Sequence, residues 1–297
     1  TTFMKLSNQI LMERINKDRL VRRRTSQAEI AFDLYFQQLK NSQHVISFFF
    51  TNHVASSMHR YWPTVFPRDY EEGKFDVNWL KQWAGEIPHA VKVANFQLQM
   101  IIDYCQQTNS ELIVCSSMGQ GAVKNTEPVE RQVLITNVRK LMSYIGLTNE
   151  DWEPNLAMSP QIVITPKSQS CIAALEYLNH IRINGSTIKV SHTASDEVRI
   201  DISLNNQNSI EIKDGNKIIE PHEIGIENIN LQDGASAYAY HIPEGIMIHY
   251  NPANLSQSNN DRKWKTISAL DFAPSILSKF ALEVPSYMQN ENIFGSN

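Results

Sequence analysis

The stretch Leu112-Ile113-Val114-Cys115-Ser116-Ser117-Met118-Gly119 is the part of the sequence that decides the expected fold. Its four apolar residues have the length of a strand, and the small polar residues and glycine behind them favour a turn. Before this stretch, residues 88–107 carry apolar side chains at helical spacing behind Pro88, a residue suited to the first turn of a helix. The sequence therefore predicts a long helix, a buried strand and a polar turn.

The same order of elements is predicted closer to the N-terminus. Residues 26–41 have helical spacing, and the apolar, β-rich run 45–50 predicts a buried strand. A polar loop with Asn52, His53 and His59 follows. Two repeats of helix, strand and loop indicate an α/β fold, a largely parallel sheet between helices. Ligands of such sheets gather at the carboxyl ends of the strands, so both loops are candidate sites.

The pattern changes from about residue 160 onward. A strand at 161–165 and a helix at 168–183 are followed by predicted short strands at 187–191, 197–204 and 209–213, separated by Asn- and Gly-containing turns. We interpret residues 161–235 as a small α+β insertion. The expected organisation is an α/β core over residues 1–160, the insertion over 161–235, and a return to the core over 236–297.

Composition excludes several classes of partner. The chain has 297 residues, a net charge of −4 and 42% hydrophobic residues, which gives no electrostatic case for nucleic acid. The basic run 17–24 fits either a solvated helix face or a contact with a phosphate or a partner. Apolar runs fall short of the roughly 20 residues that span a bilayer. Three widely spaced cysteines predict buried thiols (Cys105, Cys115, Cys171).

Localisation follows from the same features. Because the cysteines suggest no disulfide framework, we expect a cytoplasmic protein. The sequence begins at Thr1 without an initiator methionine, so an N-terminal targeting segment stays open as an alternative.

Three segments, in this order, resemble the alkaline phosphatase superfamily, in particular its phosphodiesterase and nucleotide-pyrophosphatase-like branch. The family has a strand that ends in Ser-Asp-His-Gly, where Ser116–Gly119 stands here. It then has a histidine beside a Pro-Glu-Gly turn and an apolar strand, which His241–Ile248 matches. A helix opening Asp-(apolar)-Ala-Pro-Thr comes last, matched by Asp271–Leu277 and the ending at Val284-Pro285. The resemblance covers residues 25–120 and 236–290.

The resemblance implies an activity and a set of metal ligands. In the family, a metal-activated Thr or Ser attacks a phosphoester, and Asp and His residues bind two metal ions. One such Asp lies four residues before a His in a loop after a strand. His59 fits that His, but Ala55 stands four residues before it, so Asn52 or His53 is the alternative ligand.

The departures from the family pattern concern the metal and the nucleophile. Ser117 and Met118 stand where the family has the metal-binding Asp and His, and a hydroxyl and a thioether are poor ligands for zinc. We therefore expect no metal or one weakly bound divalent ion, zinc or manganese. No residue before Ser26 matches the nucleophile segment, so the catalytic residue is unknown. Either the chain is a fragment and a missing N-terminal segment completes the site, or the protein does without that segment.

The candidate site residues follow from these matches. The expected metal ligands are His59, His241 and His53. The expected substrate-binding residues are Asn52, Arg60, Ser116, Ser117 and Gly119. Each histidine has a structural interpretation as an alternative, and Arg60 an ordinary salt bridge in place of a contact with a phosphate or sulfate. Ser116–Gly121 fits either a set of backbone N–H groups that bind an anion in front of a helix or, equally well, a tight turn that requires glycine.

Two functions remain open from the sequence. The first is a hydrolase or transferase acting on a small-molecule or glycan-linked phosphoester, a phosphodiester or a similar oxyanion ester, with a degenerate metal site. The second is a non-catalytic binding or structural relative that keeps the fold without the chemistry. The sequence has no P-loop, dinucleotide fingerprint or HExxH motif, which argues against nucleotide-triphosphate, dinucleotide and zincin enzymes.

Overall fold

The structure, a computed structural model, describes residues 2–43, 45–124, 129–157, 160–193, 196–231, 237–254, 265–288 and 292–294. The α-helices described are α1 (Thr2–Ile15), α2 (Arg23–Asn41), α3 (His53–Val65), α4 (Val77–Trp83), α5 (Glu86–Thr108), α6 (Val138–Tyr144), α7 (Gln169–Tyr177) and α8 (Phe272–Lys279). The strands are β1 (Leu112–Ser116), β2 (Gly119–Ala122), β3 (Arg131–Ile135), β4 (Trp152–Asn155), β5 (Ile162–Pro166), β6 (Ile181–Ile183), β7 (Ser186–Thr187), β8 (Lys189–His192), β9 (Val198–Asp201), β10 (Ile212–Asp214), β11 (Lys217–Ile219), β12 (Ile226–Asn230), β13 (Ala239–Ile242) and β14 (Ile246–Tyr250).

These strands form small sheets and not one large sheet. Two sheets have four strands, in the orders β11-β10-β6-β7 and β4-β5-β9-β8, and β1-β14, β12-β3 and β13-β2 are two-stranded. Every pair whose register is described runs antiparallel. The prediction of a largely parallel sheet between helices is therefore wrong.

The error has a physical origin in two segments. Residues 45–50, predicted as a buried strand, lie outside every described strand, and Val45, Phe48 and Phe50 are exposed. The other key strand, β1, is present, but it pairs antiparallel with β14. A parallel pair needs a connection of a dozen or more residues, and the long segment between β1 and β14 would permit either direction of pairing. Apolar runs alone do not distinguish these pairings.

The chain divides into two units. Unit 1 comprises residues 1–87 and 122–239, and unit 2 comprises residues 88–121 and 240–297. The expected boundaries at 160 and 235 stay a prediction. In the ranges that the structure describes, none of the helices combines the length and hydropathy that crossing a bilayer requires.

The larger hydrophobic core of unit 1 contains side chains from both four-stranded sheets and from α6 and α7. Strand β9 shows how the sequence builds it, because Val198 and Ile200 are buried while Arg199 and Asp201 alternate with them on the other face. Leu175 of α7 is fully buried in the same cluster. The core therefore follows from period-two strands packed against one helix face.

A second, aromatic cluster of unit 1 holds α3 and α4. Tyr61 of α3 stacks on Trp83 with ring centroids 5.5 Å apart. Tyr238 is fully buried in this cluster, and the Tyr70 hydroxyl donates a hydrogen bond to the Tyr238 carbonyl at 2.6 Å. Burial, with the nearby Asp69 carboxylate, raises the pKa of Tyr70 well above its ordinary value. These rings fix the helix that carries His59.

The basic run 17–24 forms a 3-10 helix over Lys17–Arg22 and the start of α2. Arg22 makes a bidentate pair with Glu86, and both side chains are largely buried. Arg23 pairs in the same way with Glu13. A bidentate guanidinium–carboxylate pair is the strong form of the salt bridge, so two of these cations have structural partners.

Two of the three cysteines match the expectation of buried thiols. Cys105 and Cys171 are buried, and burial raises the pKa of both. Cys115 in β1 is exposed, so its predicted burial is wrong.

In unit 2, Glu111 connects the start of β1 to two other elements. Its carboxylate accepts hydrogen bonds from His249 of β14 at 2.6 Å and from Lys279 of α8 at 2.9 Å. Burial by itself would raise the pKa of Glu111, but these two donors outweigh it and lower the pKa below its ordinary value. The ionised carboxylate therefore stabilises the folded form of unit 2.

Glu111→Gln is expected to destabilise the protein by about 1 kcal/mol near neutral pH. Because the folded pKa is depressed, this contribution is fully present above the unfolded pKa of about 4.3. It is lost as the pH falls through the folded pKa. Thermal unfolding of wild type and variant, followed by circular dichroism across the acidic range, should show the difference shrinking as pH falls.

Glu153→Gln is the matched control, since its pair with Lys167 is well exposed. Exposed pairs contribute little, so its unfolding should resemble that of the wild type. A difference between Glu111→Gln and wild type that stays constant with pH would contradict the role assigned to the ionised carboxylate.

Candidate functional site

The polar segment after residue 50 is a helix and not the predicted loop. Asn52 occupies the N-cap position of α3, and the backbone N–H of Ser56 donates to the Asn52 carbonyl at 2.8 Å. Asparagine is a preferred residue at that position, although the Asn52 side chain makes no capping hydrogen bond here, and a polar sequence of this kind fits either a loop or a helix start. Asn52 itself is exposed, so it can contact a ligand from this helix end.

His53 is the first residue of α3 and is buried, with 2% of its surface exposed. Its Nδ1 lies 2.7 Å from the Thr51 hydroxyl. The Ser57 hydroxyl donates to the His53 carbonyl at 3.0 Å. His53 is thus a packed histidine at a helix start.

His59 lies on α3 and is half-buried. The hydrogen-bond partner of one ring nitrogen shows which nitrogen carries the proton. Nδ1 lies 2.5 Å from the Ala239 carbonyl oxygen, and the Tyr238 backbone N–H donates to the His59 carbonyl at 2.7 Å. Because a carbonyl oxygen only accepts, Nδ1 must carry the proton. In the neutral ring the lone pair is then on Nε2, the arrangement that metal-binding and general-base histidines use. Arg60 follows it on the helix, half-buried.

In unit 2, the end of β1 leads through a tight turn into β2. The Ser116 hydroxyl donates to the Met118 carbonyl at 2.6 Å, and Ser117 and Met118 are both exposed. The sequence suggested an anion cradle in front of a helix at Ser116–Gly121, but a strand follows the turn. That part of the prediction is wrong, because the segment that begins at Gly119 is a strand, β2, which pairs with β13, and not a helix.

A second turn, Pro243–Gly245, packs directly onto this one. A Cβ added at Gly245 would overlap the carbonyl oxygen of Ser116, and one added at Gly119 would lie 2.5 Å from the carbonyl oxygen of Glu244. Only glycine permits such a close approach of two backbones. We call these two segments, Ser116–Gly121 and His241–Gly245, the glycine corner.

Gln120 joins His241 within the glycine corner. The amide Nε2 of Gln120 lies 3.0 Å from Nδ1 of His241. Its other amide atom, Oε1, is buried without a hydrogen-bond partner among the described residues. Sequence reasoning missed Gln120, although its position between Gly119 and Gly121 was a signal. A Cβ at Gly121 would lie 2.8 Å from the Ile242 side chain, so the chain is tightly packed on both sides of this glutamine.

The structure thus brings the predicted residues together in two groups. Ser116, Ser117, Gly119 and His241 belong to unit 2, and Asn52, His53, His59 and Arg60 belong to α3 of unit 1. The assignment of His53, His59 and His241 as metal ligands stays a prediction. Among the described residues, no three His, Cys, Asp or Glu side chains are grouped closely enough to hold a metal ion.

Comparisons with protein-family models, with curated proteins and with solved structures gave no match to this chain. The resemblance to the alkaline phosphatase superfamily therefore rests on the motifs of the sequence.

Proposed function

We propose that this chain is an alkaline-phosphatase-like hydrolase or transferase with a degenerate metal site. Its substrate would be a phosphoester, a phosphodiester or a similar oxyanion ester, either a small molecule or linked to a glycan. The observation that supports this best is the glycine corner. Two of the three motifs that carry the family resemblance pack against each other there, although Ser116 of one and His241 of the other are 125 residues apart in the sequence. Their contact leaves no space for a Cβ at Gly119 or Gly245.

The chemistry of Gln120 and His241 suits an oxyanion. When Nδ1 of His241 carries the proton, it donates a hydrogen bond, and the amide oxygen of Gln120 must face it to accept. The amide of Gln120 is then turned by about 180°, a choice of orientation that places its NH2 group at the buried position without a partner. An ester oxyanion would satisfy that NH2 group, since a buried polar group without a partner costs about 1–3 kcal/mol. We assign Gln120 and His241 to substrate binding, beside Ser116 and Ser117.

The residues proposed as metal ligands are histidines, His53 and His59 in unit 1 and His241 in unit 2, and the proposal includes no carboxylate. A divalent ion would withdraw negative charge from the ester oxygen, but neutral ligands compensate little of the ion's charge. We therefore expect at most one weakly held zinc or manganese ion.

A non-catalytic binding protein is the second candidate. Ser117 and Met118 replace the two metal ligands of the family motif, and both are exposed. A chain that binds an oxyanion ester at the glycine corner and does not cleave it would agree with these replacements.

Inorganic phosphate and bis(p-nitrophenyl) phosphate are the probes that test this proposal. We expect both to bind the wild-type chain, and His241→Ala and Gln120→Ala to weaken binding at least tenfold, because each variant removes one partner of the pair. Phosphorus NMR titration measures the affinity, repeated after dialysis against EDTA to detect any contribution from a metal ion.

His192→Ala is the matched control, since His192 is an exposed histidine in unit 1. It should bind the probes as the wild type does. Release of p-nitrophenolate separates the two candidate functions. Turnover near 1 per second or above would establish an enzyme, whereas binding without turnover would favour the non-catalytic protein. Equal binding by wild type and His241→Ala would refute the site.

A further inference from the structure

A cleft of about 520 Å³ lies in unit 1, beside the ribbon that β3 and β12 form. Its volume is within the range of small-molecule sites. The residues that line it come from this ribbon, from the segment 208–210 before β10 and from the short 3-10 helix Pro221–Glu223. None of them belongs to the candidate site described above.

The ribbon carries polar side chains on a face where apolar ones are expected. Alternate residues of a strand share a face, and so do directly opposite residues of an antiparallel pair. The face of β12 that begins with the buried Ile226 continues with Asn228 and Asn230. Asn230 stands opposite Arg131 of β3. Because departures from the pattern that a fold favours are concentrated at functional sites, this polar group indicates a site.

The side-chain amide of Asn228 is only half used by the protein. Its Nδ2 donates to the Gln207 carbonyl oxygen at 2.8 Å, and because a carbonyl oxygen only accepts, the orientation of the amide is fixed. The other amide atom, Oδ1, is buried without a hydrogen-bond partner among the described residues. An unsatisfied buried acceptor is costly, so a donor group of a bound molecule would stabilise it.

Arg131 has an unused edge of its guanidinium next to the same carbonyl. Its Nη1 donates to the carbonyl oxygens of Gln207 and Asn208, each at 3.3 Å, which holds the planar group in place. In the described part of the chain, Nε and Nη2 have no partner. Arg22 and Arg23 bind carboxylates through this pair of nitrogens. The unused edge therefore suits a carboxylate of a ligand.

The charges and the apolar wall of the cleft narrow the class of ligand. Arg131 carries a positive charge and Glu227 a negative one, and both line the cleft. A ligand that complements both carries one charge of each sign. A phosphate group would bring more negative charge than Arg131 alone can balance. Ile210 and Pro221 add an apolar part to the lining, which suits an aliphatic group.

We propose that this cleft binds a zwitterionic amino acid with an aliphatic side chain. The carboxylate would pair with Nε and Nη2 of Arg131. The ammonium would donate to Oδ1 of Asn228 and lie near the Glu227 carboxylate. The aliphatic side chain would contact Ile210 and Pro221.

Three small molecules test the proposal with the full chain: L-leucine, 4-methylpentanoate and isopentylamine. The second lacks the ammonium of leucine and the third lacks its carboxylate, while both keep the aliphatic part. L-Leucine should bind saturably, and each analogue at least tenfold more weakly, because it leaves one side of the cleft unpaired. Isothermal titration calorimetry measures the affinities.

Arg131→Gln and Asn228→Ala should each weaken the binding of L-leucine at least tenfold, since each removes one of the two polar partners. Arg182→Gln is the matched control. Arg182 also donates through Nη1 to a backbone carbonyl, that of Asn179 at 2.6 Å, but it is exposed and does not line the cleft. It should bind L-leucine as the wild type does.

A further variant keeps the test decisive if Arg131→Gln or Asn228→Ala fails the check of folding by circular dichroism. Glu227→Gln leaves the contacts of Arg131 and Asn228 in place, and it should weaken the binding of L-leucine but not that of 4-methylpentanoate. Equal binding of the three compounds would refute the proposal, as would the absence of saturable L-leucine binding or unchanged binding by folded Arg131→Gln. Inorganic phosphate that displaces L-leucine and binds more tightly would overturn it in favour of a simple anion site.

Discussion

Gly245→Ala is expected to lower the free energy of unfolding of unit 2 by about 3 kcal/mol. The new methyl group would overlap the carbonyl oxygen of Ser116, and the backbone carbonyl carbons of Ser116 and Ser117 lie 2.8 and 2.7 Å away. These are backbone atoms, so no side-chain rotation relieves the clash. The two turns of the glycine corner must separate, which also moves His241 away from Gln120.

Urea unfolding and hydrogen exchange of β1 and β14 measure this effect. The phosphate affinity of Gly245→Ala should fall with the stability, since the same corner is proposed to bind the oxyanion. Gly85→Ala is the control, because a Cβ there would be 3.5 Å from the Arg22 guanidinium, an ordinary van der Waals contact. If Gly245→Ala is as stable as Gly85→Ala, the close packing of the two turns is wrong.

Leu175→Ala is expected to destabilise unit 1 by about 3 kcal/mol. Leu175 is fully buried on α7, in one cluster with Ile164 of β5 and Ile200 of β9. Removing its side chain leaves a cavity between a helix and a sheet, and the lost burial adds to the cost of that cavity. Urea unfolding followed by tryptophan fluorescence would report the change, because Trp152 lies in the same cluster.

Leu156→Ala makes the same chemical change at a fully exposed position of the same unit. It should alter stability by no more than about 0.5 kcal/mol. Equal losses for the two variants would mean that Leu175 is not part of a close-packed core.

The sequence predicted local elements better than it predicted their pairing. The helices at 26–41 and 88–107 are confirmed as α2 and α5, because amphipathic spacing and Pro88 are local signals. The strands at 161–165, 187–191 and 209–213 are confirmed in outline as β5, β8 and β10, with boundaries that differ by a few residues. The helix at 168–183 is only partly right: α7 ends at Tyr177, and the alternating Ile181–Ile183 is β6.

Partners and special geometry were the parts that local patterns could not supply. Residues 45–50 have the composition of a buried strand, yet whether such a run is buried depends on a partner far away in the sequence. The antiparallel pairing of β1 with β14 likewise depends on a partner far away in the sequence. Of the candidate site, the motifs around Ser116 and His241 were predicted and lie in unit 2, while Gln120 was missed because glutamine carries no motif of its own.

Because of the hydrogen bond from His59 to the Ala239 carbonyl, the two nitrogens of the imidazole ring have different roles. Nδ1 fastens α3 to the backbone at Ala239, and the basicity of the ring is confined to Nε2. An asparagine side chain places its amide N–H close to where Nδ1 stands but has no second nitrogen. His59→Asn would therefore preserve the anchor while removing the second ring nitrogen, so the contact with the backbone and the free choice of chemistry at Nε2 can be tested separately at position 59.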